Sequence, residues 1–212
     1  MEVFLDIIGY VPVVFCVINA ILYLGKYKLN NKAFKYFAIY LGLIAVIQLS
    51  AIFLGRVLGQ HNLFLFHFYL ILQFIFLSFF YGYLLKKIWI YKVLIFVLLV
   101  LAYQYFETPS LFFIYNAFGV ALTQGILVIY ALIYFYNFIK GDAEFLLVNI
   151  GLFFYLLSSI LIFASGNLIF DLKEVFKFGY KLLMDLNDVL YFGLQILIFV
   201  EWLKNYSQVK IK

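Results

Sequence analysis

The sequence predicts an all-α integral membrane protein, a bundle of seven transmembrane helices with its N-terminus outside and its C-terminus inside. Three observations predict it. First, 68% of the 212 residues are apolar and 12% charged, where a soluble domain is about half apolar and a quarter charged. Too little polar side chain remains to cover a globule of this size, and lipid removes that need. Second, the mean hydropathy is +1.11, and the apolar residues fall into runs near the ~20 residues that cross a bilayer. Third, those runs are continuous, whereas a membrane β-barrel alternates apolar and polar residues along each short strand.

The elements follow in order. A first span is expected from Val3 to Leu24, ended by Gly25-Lys26-Tyr27-Lys28, and a second from Phe34 to Leu54, closed by Gly55-Arg56. After Gly59-Gln60-His61-Asn62 comes a third, from Leu63 to Leu85, stopped by Lys86-Lys87. The fourth, Ile88 to Phe106, is the weakest and reaches span length only if Lys92 snorkels to the interface. If it fails, six spans remain. Glu107-Thr108-Pro109-Ser110 is a turn, followed by a fifth span from Leu111 to Ile139, ended by Lys140-Gly141-Asp142. The sixth covers Phe145 to Phe170, and Asp171-Leu172-Lys173-Glu174 separates it from the seventh, Leu182 to Leu203. The start of the chain is acidic and has no cleavage-site pattern, so the first segment is expected to be kept as a span. The connections leave no room for a soluble domain, and residues 1–212 read as one transmembrane domain.

Orientation follows from where the basic residues fall, since cytoplasmic loops carry the excess of lysine and arginine. With the N-terminus outside, Lys26, Lys28, Lys32, Lys35, Lys86, Lys87, Lys92, Lys140, Lys204, Lys210 and Lys212 lie inside; Arg56, Lys173, Lys177 and Lys181 lie outside. The net charge of +5 is accounted for by this flanking bias and gives no reason to expect a nucleic-acid partner. The lone Cys16 excludes an internal disulfide and any multi-cysteine metal site.

Polar groups are costly in hydrocarbon unless they meet a partner, so they mark inward faces. In the seventh segment Asp185, Asp188 and Gln195 fall near one helical face, widened by Asn187 and Tyr191. Two carboxylates a turn apart suit a cation or proton site, or a general acid and base. The plainer reading puts them at the outer boundary, with Asp185 paired to Lys181. The fifth segment repeats polarity by heptads through Asn116, Thr123, Tyr130 and Asn137, with Gln124 alongside. A hydrogen-bonded helix seam is the first reading and a ligand pocket the second. In the third, Tyr69 and Gln73 share a face near His67. With only two histidines, His61 and His67, a His-based metal site would need the aspartates of the seventh. No catalytic residue, metal site or cofactor is assigned. His-Glu-x-x-His, P-loop and Gly-x-Gly-x-x-Gly patterns are absent, as is a lysine in the middle of the seventh segment for a retinal Schiff base.

His67-Phe68-Tyr69 in the third segment and Asn187–Tyr191 in the seventh, with the length and helix spacing, resemble a group of small uncharacterised seven-helix bacterial inner-membrane proteins. Members carry a His-x-Tyr pair followed by an acidic residue in the third helix; Gln73 takes the acidic place here. The resemblance implies seven helices, a multi-pass bacterial inner-membrane location and no particular activity. The functional expectation is a non-enzymatic sensor or accessory subunit. It would work through intramembrane ligand binding, or through a membrane-protein partner or second copy of itself. Asp188, Asp185, Asn187, Tyr191, Gln195, Tyr69, Gln73, His67, Asn116 and Gln124 are its candidate residues. The alternatives are a proton- or cation-linked transporter using Asp185 and Asp188, and an intramembrane lipid-modifying enzyme using those aspartates with His67.

Overall fold

A computed structural model describes residues 2–139, 141, 144–164 and 177–207, with side chains described from residue 10 onward except at 164 and 177–184. Seven helices make up the described residues. They are α1 (Glu2–Gly25), α2 (Lys32–Ile52), α3 (Phe64–Leu84), α4 (Trp89–Glu107), α5 (Ala117–Phe138), α6 (Leu146–Ala164) and α7 (Lys177–Asn205). At about 1.5 Å per residue, even the 19-residue α4 and α6 are roughly 28 Å long. Six helices are long and apolar enough to cross a bilayer, and the described part of α1, Tyr10–Gly25, is a shorter apolar seventh. The protein is a multi-pass membrane protein.

Six helices close a ring in the order α1, α2, α3, α5, α6, α7 and back to α1, while α4 lies outside it against α3 and α5. Half of the α3 span is buried against 22% of α4's. The fourth segment is therefore a full-length helix, with its hydrophobicity directed mostly outward. The ring has an upper end, holding the start of α1, and a lower end, holding the Lys26–Asn31 and Leu85–Ile88 turns.

Several boundaries differ from the sequence reading, each for a local reason. α2 runs on through a π-helical turn, Phe53–Val57, in which Leu58 N bonds Phe53 O at 3.1 Å. Asn62 then ties the following loop back to Ala51 O at 2.8 Å. α5 starts at Ala117 rather than Leu111, because Pro109–Phe113 forms a 3₁₀ turn and the Asn116 side chain caps the helix by accepting from Gly119 N at 2.7 Å. Hydropathy alone carried the span across a turn that proline and asparagine define. The described part of α7 opens at Lys177 and so includes the five residues before its apolar run. Lys140, Asp142, Ser165, Gly166, Asn167, the Asp171–Glu174 stretch, Lys210 and Lys212 lie outside the described residues, as does the Lys181 side chain and with it the expected pairing to Asp185.

Candidate functional site

The interior of the ring divides into a packed lower half and an open upper half. Below, Tyr23 from α1, Phe34 and Phe37 from α2, Phe80 from α3, Phe145 before α6 and Tyr206 after α7 form one aromatic cluster. Its ring centroids lie 4.7 to 6.4 Å apart. Phe145 is fully buried at φ 66°, a left-handed conformation that costs a side-chain-bearing residue about 1–2 kcal/mol. The rings that enclose it offset that strain. One turn further on, the 2%-exposed Glu201 of α7 accepts from Leu147 N at 2.8 Å and from Asn205 Nδ2 at 2.5 Å. A carboxylate from one helix thus caps the N-terminus of its neighbour, where the open backbone N–H groups and the helix dipole favour negative charge.

A layer of polar side chains crosses the middle of the ring. Gln73 of α3 donates through Nε2 to Tyr69 OH at 2.9 Å and Tyr40 OH at 3.3 Å. Tyr69 OH meets Tyr155 OH of α6 at 3.2 Å, and Gln124 of α5 donates to Gln73 Oε1 at 3.5 Å. Asn19 of α1 donates to both the backbone oxygen and Oε1 of Gln195 on α7, each at 2.9 Å. All six ring helices are thereby joined to at least one other at mid-depth, α2 through Tyr40 and α6 across the ring to α3.

Above this layer lies a cavity of about 280 Å³ between α1, α2, α3, α6 and α7. Its apolar wall is Pro12, Val13, Ala51, Ile52, Phe66 and Phe163; its polar lining is Gln48, Tyr69, Tyr155, Asn187, Asp188 and Tyr191. Tyr191 is buried, and its hydroxyl, with the Cys16 thiol beside it, has no partner at hydrogen-bonding geometry among the described residues. Gln48 Oε1 and Asn187 Oδ1 have no such partner either. Unpartnered groups also occur at Ser78, Tyr81 and Tyr130, but Tyr81 and Tyr130 pack ring on ring at 5.8 Å, whereas Gln48, Asn187 and Tyr191 border open volume. The charged group acting on half-buried Asp188 is a second carboxylate, Asp185. Arg56, at the same end, lies over the Tyr10 ring at 4.3 Å instead.

The structure brings Asp188, Asn187, Tyr191 and Tyr69 to one cavity, with Gln73 one hydrogen bond beneath. Gln195 and Gln124 belong to the polar layer. Asp185 sits at the upper end of α7 beside Asp188 without lining the cavity. His67 and Asn116 serve other contacts. His67 Nδ1 meets Tyr105 OH of α4 at 2.8 Å, and its ring abuts Phe112. Asn116 exchanges two hydrogen bonds with Gln104 of α4, at 3.0 and 3.2 Å, in addition to capping α5. Of the expected fifth-helix seam, Asn116 and Gln124 bond across helices, whereas Thr123 donates to Gly119 O of its own helix and Asn137 lines a separate cavity at the lower end. No group of three or more metal-ligating side chains occurs among the described residues.

Residues of this arrangement that were not singled out in the sequence include Tyr40 and Tyr155 of the polar layer, Ala51 on the cavity wall and Glu201. Glu201 extends the buried Tyr191, Leu194, Ile198 stripe of α7 by three residues, and that helical spacing was the signal available for it. No family model matches this chain, and neither a curated protein nor a solved structure matches it.

Proposed function

We propose that this protein is a ligand-responsive sensor or accessory subunit of a bacterial inner membrane, with its upper end outside. A small molecule entering the upper cavity would change helix packing that a partner protein reads at the lower end. The observation that carries the reading is the position of the cavity, directly above the polar layer. Tyr69 and Tyr155 line it and are also members of the hydrogen-bonded set that reaches Gln73, Tyr40 and Gln124. A ligand that displaces either hydroxyl alters bonds to α2 and α5 without touching those helices' lower ends. Coupling of this kind requires only that the ligand favour one of two packings. The aromatic cluster beneath closes the ring, which argues for binding and response over continuous conduction.

The test is hydrogen exchange on the full chain in nanodiscs, comparing the wild type with Ala51→Trp, which fills the cavity, and with the double variant Ala51→Trp/Gln73→Leu. The reading expects Ala51→Trp to change exchange at the Lys26–Asn31 and Leu85–Ile88 turns several-fold. Adding Gln73→Leu should remove that change. Identical exchange at the lower end in all three proteins would overturn it.

One observation favours a transporter as the second reading. A further cavity, of about 360 Å³, opens at the lower end among Asn31, Tyr83, Lys86, Tyr134, Asn137 and Glu144, so the polar layer separates two opposed recesses. Cation or proton flux in proteoliposomes that disappears in Asp188→Asn would select this reading. The lipid-enzyme alternative needs His67 and the aspartates within hydrogen-bonding reach. The engagement of His67 with Tyr105 of α4 gives it no support.

A further inference from the structure

We infer that the upper cavity is built for an organic ammonium, a protonated amine carrying a small apolar or aromatic body; this rests on reading the cavity as a ligand site. The polar side of the cavity is rich in acceptors. Gln48 Oε1 and Asn187 Oδ1 are buried oxygens without partners among the described residues, and the Asp188 carboxylate stands beside them. The described lining has donors as well, in the Gln48 and Asn187 amides and in the hydroxyl proton that the single Tyr69–Tyr155 bond leaves over, but its one charged side chain is an anion, Asp188. The Tyr191 hydroxyl, beside the Cys16 thiol, can donate or accept. A primary ammonium brings three N–H donors in one compact group, which fits three oxygens better than a hydroxyl with one.

Charge points the same way. Asp188 and Asp185, two acids, stand one turn apart on α7, and the described cation at this end, Arg56, is turned onto Tyr10. An incoming cation relieves the repulsion. Aromatic rings line the same space, from Phe66, Tyr69, Tyr155, Phe163 and Tyr191, and ring faces attract ammonium groups.

Size and apolar area limit the rest of the molecule. About 280 Å³ lies just below the ~300–1,000 Å³ usual for ligand pockets. A bare metal ion would leave the apolar wall of Pro12, Val13 and Ile52 without contact, and a large amphiphile would place only its headgroup inside. The ammonium has two possible sources, a free amine from outside or the ethanolamine headgroup of a lipid.

The experiment is calorimetric titration of the full chain in phosphatidylglycerol nanodiscs, blanked against empty discs. Its probes are 2-phenylethylamine and its neutral isostere 2-phenylethanol. The amine should bind saturably and at least tenfold more tightly than the alcohol, and Asp188→Asn should weaken the amine at least tenfold while leaving the alcohol unchanged. Should Asp188→Asn fail to fold, the amine-to-alcohol ratio on the wild type decides alone. Equal affinities for the two probes, full retention of amine affinity in Asp188→Asn, or no saturable amine binding would each overturn the inference. None of these outcomes bears on the exchange experiment with Ala51→Trp, so loss of the ligand class and loss of the coupled-cavity reading are separately visible. Repeating the titration in discs containing phosphatidylethanolamine separates the sources. An apparent affinity at least fivefold weaker there assigns the site to the lipid headgroup, and an unchanged one assigns it to a free amine.

Discussion

The upper and lower halves of the ring draw on the same helices, and each places a carboxylate of α7 against the interior. In the lower half Glu201 meets two donors, Leu147 N and Asn205 Nδ2, and is closed off from solvent. In the upper half Asp188 stands one turn from Asp185 beside unpartnered oxygens and open volume. Thirteen residues separate the two side chains on one helix. A buried acid that is fully satisfied by its own chain holds a fold together; one left facing empty, acceptor-rich space weakens the fold unless something else binds there. The contrast makes the lower half the more sensitive to loss of packing, and makes the two carboxylates respond in opposite senses to substitution.

The largest effect is expected from the aromatic cluster. Phe34 is fully buried and lies 5.0 Å from Tyr23 and 4.7 Å from Tyr206. Phe34→Ala removes a ring that nothing nearby can replace and should cost about 3–5 kcal/mol. Phe66→Ala, on the cavity wall, should cost roughly half of that or less, because its site already borders open volume and the lost contacts are fewer. Denaturant unfolding of the two variants in the same micelle measures the difference. Equal losses would mean that the upper half is packed as tightly as the lower.

The two carboxylates sharpen the comparison further. Glu201→Ala leaves the Leu147 amide and the Asn205 side chain without their acceptor, at a cost of about 1–3 kcal/mol. Asp188→Asn removes a charge that the membrane-facing bundle solvates poorly and its repulsion with Asp185, so the unfolding midpoint should hold steady or rise. A residue whose neutralisation stabilises the protein is one retained for another reason. If Asp188→Asn destabilised as much as Glu201→Ala, Asp188 would be a structural residue and the cavity would lose its main claim to a ligand.

Much of the fold was legible because lipid imposes long apolar runs, and such runs mark helices wherever they end. Pairing between helices was not legible, since outward and inward faces are both apolar: nothing in Trp89–Glu107 distinguishes a helix outside the ring from one within it. The site was legible in part. Asp188, Asn187, Tyr191 and Tyr69 stand out as polar residues in apolar helices and do converge. His67 and Asn116 stand out for the same reason, yet turn to α4, where Tyr105 and Gln104 receive them. Glu201, close to Trp202 and Lys204 at the end of a span, has the sequence context of an interfacial charge. Only the arrival of the α6 N-terminus makes it a cap, and that depends on helices joined through residues far apart in the chain.

The smallest effect separates the polar layer from the cavity that lies on it. Gln73→Leu breaks bonds to Tyr69 and Tyr40 and leaves both hydroxyls and the Gln124 amide without that partner. A loss of about 0.5–1.5 kcal/mol is expected. Tyr191→Phe deletes a hydroxyl that bonds nothing among the described residues while keeping its ring against Tyr155 at 5.3 Å. Its stability should stay within about 0.5 kcal/mol of wild type. Paired unfolding measurements give both numbers. A Tyr191→Phe loss matching that of Gln73→Leu would show the hydroxyl to be bonded in the folded protein, through water in the cavity or through Cys16 beside it. The boundary between the structural layer and the ligand-facing surface would then lie one residue higher on α7, at Asp188 and Asn187.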